Sequence, residues 1–380
     1  MDFSLSGDEE DILDLVREFA TNEVLPRAAQ IDEKAEFPAD LVSKMGELGL
    51  MGVPFPEEYG GAGQSYVVFA RIVEELCRAC ASTGLIMDVN ISLCGEPIMV
   101  FGSEAQKQKY LVPLATGEKL GALAMTEPEA GSDAASIKTS ADRRNDHYLL
   151  NGRKIFITNG EVADTYVVTA VTDRDKGTSG ITDFIVEKEM PGVSFATHYD
   201  KMGIRGAPTT DVVLENVEVP VDNVLGGEGN GFKVTMDTLD AGRIGIAAQA
   251  VGIARAALED ATDYARTRRQ FGATISTFQG LQFMLADMAT QVHASRALML
   301  RAAYLRDQEI ACARESSMAK LFAGDTAMQV TTDAVQIFGG YGYMQEYPVE
   351  RHMRDAKITQ IYEGTQQIQR VVIARQVIGR

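Results

Sequence analysis

The spacing of apolar positions divides the chain into three stretches. Behind Ser6 and Glu9, which are spaced as a capping box, Ile12, Leu15, Val16 and Phe19 recur at the helical period and predict a first helix. A second is predicted from Pro38 as first helical position, through the stripe Leu41, Val42, Met45 and Leu48, to Gly49 as its stop. Ser103 and Gln106 repeat the capping-box signal ahead of Tyr110, Leu111 and Leu114, with Gly117 ending that segment. Between about Lys119 and Leu225 the period shortens to that of strands. Residues 148–150 and 154–158 flank Asn151-Gly152, which predicts a β-hairpin with a two-residue turn. Residues 165–171, 181–186 and 211–214 are further β-rich runs, and from about Gly231 long helical segments rich in Ala, Met, Leu and Arg return. Helices, then strands, then helices argue for an α+β assembly instead of alternating βαβ units.

Composition narrows the partners. A chain of 380 residues, 45% hydrophobic and 24% charged, is globular in make-up and has room for two or three structural units. Its net charge of -18 has the wrong sign for phosphate backbones or anionic lipid, so no nucleic acid and no membrane partner is expected. No run approaches the ~18 consecutive apolar residues of a membrane span, and the acidic start of the chain is unlike a secretory leader. The four cysteines are too sparse for a disulfide framework, which points to a reducing, cytoplasmic setting. Cys77 and Cys80 form a CxxC, but RIVEELCRAC reads as an amphipathic helix with both thiols on one face. His147, His198, His293 and His352 are scattered without partners at ligand spacing, so no metal site is expected.

Three kinds of segment hold candidate chemistry. The glycine clusters at 60–63, 226–231 and 339–342 lack the strand, helix and distant acid of a dinucleotide-binding βαβ unit and read as turns. MTEPEAGSD, from Met125 to Asp133, lies where helices give way to strands; such a loop can offer N–H groups and hydroxyls to a ligand between domains, or simply connect them. In IYEGTQQIQR, Glu363 stands between apolar Ile361 and Ile368. A carboxylate in such surroundings has its pKa raised toward neutrality, as a general base requires; the alternative is that Glu363 caps the last helix.

PEEYGGAG, GSEAQKQKYL, AMTEPEAGSD, NGRKIFITNG, KMGIRGAPTTDVVLENVEVP, LDAGRIGIAAQAVGIA, RRQFG, AVQIFGGYGY, EYPVERHMRDAKI and IYEGTQQIQR follow one another along nearly the whole chain. In this order they resemble the acyl-CoA dehydrogenase family of flavoproteins, most of all its short-chain, butyryl-type members. The resemblance implies an N-terminal α-helical domain over 1–118, a middle antiparallel β domain over 119–228 and a C-terminal four-helix bundle over 229–380. It implies FAD as cofactor, an acyl-CoA thioester as substrate, electron-transfer flavoprotein as electron acceptor, a homotetramer built as a dimer of dimers, and a place in fatty acid β-oxidation. By motif position Glu363 is the base that removes the α-proton while a hydride leaves Cβ for flavin N5, giving the 2-enoyl-CoA. Polarisation of the thioester oxygen falls to the backbone N–H that accompanies the base and to a flavin ribityl hydroxyl. Flavin contacts carry over onto Leu123, Met125, Thr126 and Ser132, and onto Phe156, Ile157 and Thr158, with Thr126 toward N5. Arg268, Phe271, Gln279, Gln336, Gly339 and Gly340 match the pyrophosphate and adenine contacts, some reaching across a subunit interface, and Thr365 and Gln367 complete the site. Substrate contacts carry over onto Ser132, Asp240, Arg243 and Gly364, the charged pair serving the CoA moiety.

The chain departs from that pattern in places. It has no Trp, so Phe156 stands where many relatives shield the flavin edge with an indole. Gly84 occupies the position of the arginine that glutaryl-type relatives use, which disfavours a glutarate substrate. Asp88 is an acid in the apolar run GLIMDVNISLCGEPIM, where butyryl-type relatives have a small neutral residue. It is either a helix-surface carboxylate bonded to Asn90, Ser92 or backbone, or a second base for an alicyclic substrate, a cyclic 1-enoyl-CoA or cyclohexanecarboxyl-CoA. Glu363 within IYEGT argues against superfamily oxidases or monooxygenases that replace or lack the base, and the acidic charge argues against a DNA-associated binding protein.

Overall fold

The computed structural model describes residues 5–379. Both predicted capping boxes form: the Ser6 hydroxyl accepts from the Glu9 N–H and heads the helix Gly7–Phe19, and Ser103 does the same for Gln106. Gly117 and Gly49 take the left-handed φ of helix stops, at 77° and 71°. Pro38 sits one place earlier than expected, as the cap of Ala39–Glu47 and not its first turn.

The two helical regions share one apolar core. Its axis is the helix Gly231–Thr267, 37 residues long, which packs on Tyr66–Ala79 from the N-terminal part and on Gln279–Asp307 and Ala313–Phe338 from the C-terminal part. The short helix Gln366–Ile378 lies against Ala313–Phe338 and completes the C-terminal bundle. Buried Ala247, Ala248, Ala250, Ala254 and Ala257 keep the surface of the axial helix low, so that its neighbours come close on several sides. The helix Ala81–Phe101 is long and apolar enough to cross a membrane, yet 83% of its most apolar window is buried inside the protein, where it serves as a core helix. It widens to π-helical turns over Val89–Gly95, directly after Asp88.

The CxxC is not on one helix face. Cys80 is extended, with φ -155°, and breaks the chain between Tyr66–Ala79 and Ala81–Phe101.

The middle region is one eight-stranded sheet with its own core. Its strands are β1 (Gly121–Ala124), β2 (Ser140–Arg143), β3 (His147–Thr158), β4 (Thr165–Val171), β5 (Ile181–Glu187), β6 (Val193–His198), β7 (Thr209–Pro220) and β8 (Val224–Leu225). They run in the order β6-β7-β3-β2-β4-β5-β8, with β1 also on β4. The expectation of an antiparallel sheet needs correction at β4, which pairs in parallel with β1 and, at Val171, with β2. Both come from connections that cross over instead of turning back.

Nor does Asn151-Gly152 make a hairpin. Neither residue has the positive φ that a two-residue turn of this kind needs, and both lie inside β3. There the β3–β7 register slips, so that Glu215 and Asn216 oppose the single Asn151, whose side-chain oxygen accepts the Asn216 N–H at 2.8 Å. Gly152 is required because a Cβ there would strike the Thr139 side chain. The dipeptide thus serves a bulge.

Candidate active site

Two carboxylates converge on one face of the axial helix. Glu363 has φ 50° and Gly364 φ 91°, a left-handed turn that lifts the Glu363 side chain out of the line of the chain and back toward that helix. A Cβ on Gly242 would collide with Glu363 Oε2, and one on Gly245, a turn further along, with Asp88 Oδ1. Glycine inside a helix costs about 1 kcal/mol relative to alanine, and at these two positions it makes room for the acids.

Among the described residues neither acid is in an ion pair. Glu363 Oε2 is shielded from solvent and has no hydrogen-bond partner. Burial first, and then the charge of Asp88, push its carboxyl well above the usual range, while Lys320 and Arg243 pull it back. Asp88 is fully buried, neither of its oxygens has a hydrogen-bond partner of normal geometry among the described residues, and burial raises its carboxyl to about 7 against a smaller opposing pull from the nearby Ser92 side chain. The helix-surface reading of Asp88 therefore does not hold. Ser92 gives its hydroxyl to the Asp88 backbone carbonyl, at 2.8 Å, and Asn90 is bonded to Met51, Leu114 and Gly121. The capping reading of Glu363 also falls: Thr365 caps the last helix, accepting from the Ile368 N–H at 3.3 Å.

Around this pair, Tyr362 donates to Gln249 on the axial helix, and Gln369 donates to the Glu363 and Gly364 carbonyls at 3.0 and 2.9 Å. Arg243, 5% exposed, is bonded to Asp240 at 2.5 Å and lies within the field of Glu363. Among the described residues nothing accepts the Glu363 N–H.

The loop after β1 forms a second group. Met125 and Thr126 are half-buried and Ser132 is exposed. Thr126 is tied to β3 by the Ile155 N–H, 2.8 Å from its carbonyl. At that point Ile155 and Phe156 oppose the single Asp211 of β7, and this bulge gives Phe156 a φ of 58° and leaves it 58% exposed, its ring 4.8 Å from Tyr199. Leu123 is half-buried on β1 and Thr158 half-buried at the end of β3, whereas Ile157 turns its side chain into the sheet's core. Sequence reasoning passed over Lys154, which is fully buried between Glu127, at 2.7 Å, and the Met125 carbonyl, at 3.0 Å. A lysine facing inward from a strand was the available signal.

A third group lies at the far end of the axial helix, around a cavity of about 600 Å³ lined by Arg268, Phe271, Gln336, Gly339 and Gly340 together with Tyr264, Phe278 and Tyr341. Gln279 stands just outside it, at the start of its helix. The Arg268 guanidinium rests 5.1 Å from the centre of the Tyr341 ring and has no carboxylate partner among the described residues. Phe271 is 95% exposed at φ 52°. A free guanidinium, open glycine backbone and bare aromatic rings suit a pyrophosphate with its adenosine, so the residues present fit FAD. Gly364 and Thr365 belong to the turn of the first group, and Gln367 is exposed on the helix that follows.

Sequence models of three domains match the chain: the acyl-CoA dehydrogenase N-terminal domain over residues 6–118, the middle domain over 122–217 and the C-terminal domain over 229–378. It is 52% identical to the short-chain specific acyl-CoA dehydrogenase of Clostridium acetobutylicum, across 99% of this chain and 100% of that one. Its fold superposes on butyryl-CoA dehydrogenase from Megasphaera elsdenii with a TM-score of 0.98, at 47% identity and with all of both chains covered. A chain solved in work on the electron transferring flavoprotein of Acidaminococcus fermentans and flavin-based electron bifurcation gives 0.99 at 51% identity, again over the full length of both.

Proposed function

The chain belongs to the acyl-CoA dehydrogenase family, and from that premise we propose that it is an FAD-dependent dehydrogenase of short-chain acyl-CoA thioesters, with Glu363 as the α-proton base and electron-transfer flavoprotein as electron acceptor. The observation that carries the assignment of the base is a half-buried carboxylate on a left-handed turn, its shielded Oε2 without a hydrogen-bond partner and set against a glycine-lined helix face. An α-proton beside a thioester is weakly acidic, so the base must have a raised pKa and the thioester oxygen must be polarised. Glu363 meets the first need through burial and the nearby Asp88. Its own N–H, free of any acceptor among the described residues, meets the second. Arg243 and Asp240 orient the CoA moiety. Thr126, Met125, Leu123, Ser132 and Phe156, with Thr158 and the backbone of Ile157, hold the flavin ring, and Arg268, Phe271, Gln279, Gln336, Gly339 and Gly340 its far half. Bound FAD supplies the acceptor for the hydride that leaves Cβ.

Gly242 and Arg268 are 26 residues apart on nearly continuous helix, about 39 Å at 1.5 Å per residue. That exceeds the span of one dinucleotide. It supports an assembly in which the cavity of one chain serves the base of another, the exposed Phe271 being covered there; the homotetramer of the family is such an assembly. A cytoplasmic location completes the reading.

Anaerobic mixing with butyryl-CoA should bleach the flavin, with octanoyl-CoA and glutaryl-CoA far slower. Glu363→Gln should bind butyryl-CoA within about tenfold of the parent, roughly 1.4 kcal/mol, yet lose several orders of magnitude in bleaching rate. An unchanged rate in that variant would assign the base elsewhere. The unpaired, buried Asp88 favours a second reading, a dehydrogenase of alicyclic acyl-CoA in which Asp88 takes a proton beyond the reach of Glu363. Asp88→Asn should then abolish bleaching by cyclohex-1-enecarboxyl-CoA and spare butyryl-CoA. Equal effects on both substrates would dismiss the second base.

A further inference from the structure

Lys320 stands in the middle of the helix Ala313–Phe338 with no part of its side chain in solvent. A buried ammonium is ordinarily held by a carboxylate, because a lone charge in apolar surroundings costs several kcal/mol. Lys320 has no such partner among the described residues. It donates to the Gly364 carbonyl at 2.7 Å and to Gln366 Oε1 at 3.4 Å. The carbonyl it grips belongs to the residue after Glu363, in the turn where two successive residues have positive φ. Gln369 reaches the same carbonyl from the last helix. The turn is therefore clamped from two helices, by one neutral donor and one charged one.

The charges that face Glu363 come from three helices: Asp88 from Ala81–Phe101, Arg243 from the axial helix and Lys320 from Ala313–Phe338. Arg243 is already bonded to Asp240, which leaves Lys320 as the facing cation that no carboxylate shares. The relation is mutual. Burial lowers the ammonium to about 8, the charge of Glu363 supports it, Arg243 opposes it and Asp325 adds a smaller favourable contribution. Asp325 itself accepts from Gln360 and Gln366 and is paired with Arg370 at 3.3 Å.

We propose that Lys320 is a positioning residue for the reaction: through the Gly364 carbonyl it fixes the Glu363 turn, and it supplies the facing cation that no carboxylate shares. The proposal rests on Glu363 being the base. Its sign follows directly: removing the cation leaves burial and Asp88 unopposed on that side, so Glu363 holds its proton to higher pH.

The test is the pH dependence of anaerobic flavin bleaching by butyryl-CoA in single turnover, on the FAD-loaded enzyme. Lys320→Met should move the acid-side midpoint up by about one pH unit or more, a tenfold loss of rate below the midpoint, with KM changed less than about threefold and flavin content unchanged. Lys320→Gln, which keeps an amide donor, should show the same shift, and Lys320→Arg should keep the parent midpoint. Gln369→Leu removes the neutral clamp and should lower the rate at every pH without moving the midpoint. If Lys320→Met does not fold, Lys320→Gln and Lys320→Arg decide by the same criterion. A midpoint unmoved in the neutral variants, with Glu363→Gln inactive throughout, overturns the role of Lys320 alone. A Glu363→Gln enzyme that bleaches normally overturns both readings together.

Discussion

The two ends of the axial helix are built on opposite principles. Near its start, around Gly242 and Gly245, the chain gathers two acids and two cations with few mutual bonds, and all of the groups come from one chain. Near its end, around Arg268, the surface is open and aromatic, and Phe271 is almost bare. The first region can tune a proton because the protein alone sets its electrostatics. The second presents a guanidinium without a carboxylate partner among the described residues and exposed rings, features of a surface that receives a partner. On the proposed function, the proton chemistry is set within one chain, while the far half of the cofactor would be completed by a second.

That contrast can be broken most severely at Asp88. Its raised carboxyl means that ionising it in the folded state is penalised; the penalty is absent near pH 4, grows as pH rises, and is complete above about 7. Folding stability contributed by this group is therefore lost as pH rises through the folded value. Asp88→Asn removes the titration, so the variant should match the parent near pH 4 and exceed it at pH 8 by several kcal/mol, the order of the cost of an unpaired buried charge. Denaturant melts at the two pH values measure this, and an equal difference at both would mean that Asp88 is not held in a dry site.

A smaller effect is expected at Gly242. Its Cβ would displace the Glu363 carboxylate from the helix face, and misplacement of a reacting group by about 1 Å costs on the order of 10²-fold in rate. Gly242→Ala should therefore bleach about a hundredfold more slowly while keeping its flavin. Loss of flavin together with rate would show that the two regions are coupled.

Arg268→Ala should act at the other end only. It is expected to weaken FAD retention about tenfold, roughly 1.4 kcal/mol, with the bleaching rate of the loaded enzyme and the helix content by circular dichroism unchanged. Full retention on dilution and gel filtration would remove Arg268 from the pyrophosphate site.

What could be read without coordinates, and what could not, follows the range of the interactions concerned. The capping boxes at Ser6 and Ser103 and the left-handed stops at Gly49 and Gly117 are set by residues a few places apart, and those local patterns formed as read. Glu363 was legible because a motif surrounds it, although spacing alone left it between base and helix cap. Asn151-Gly152 was misread because its local signal is real but is outweighed by pairing with β7, more than sixty residues on, and by the Thr139 side chain. At Cys80 the helix pattern runs through a break, beyond which Ala81–Phe101 packs on the axial helix, a contact that is not written in the local sequence.

The sequence by itself determined the order of helices and strands, the family, and the residue types of the site, because periodicity, caps and motifs are properties of neighbours along the chain. Only the tertiary structure decided that Asp88 has no partner, that Gly242 and Gly245 are the floor under two acids, and that Lys320 lies beneath the Glu363 turn. The reason is physical. A pKa depends on burial and on charges a few ångströms away, and here those charges come from residues 88, 243, 320 and 363, which nothing short of folding brings together.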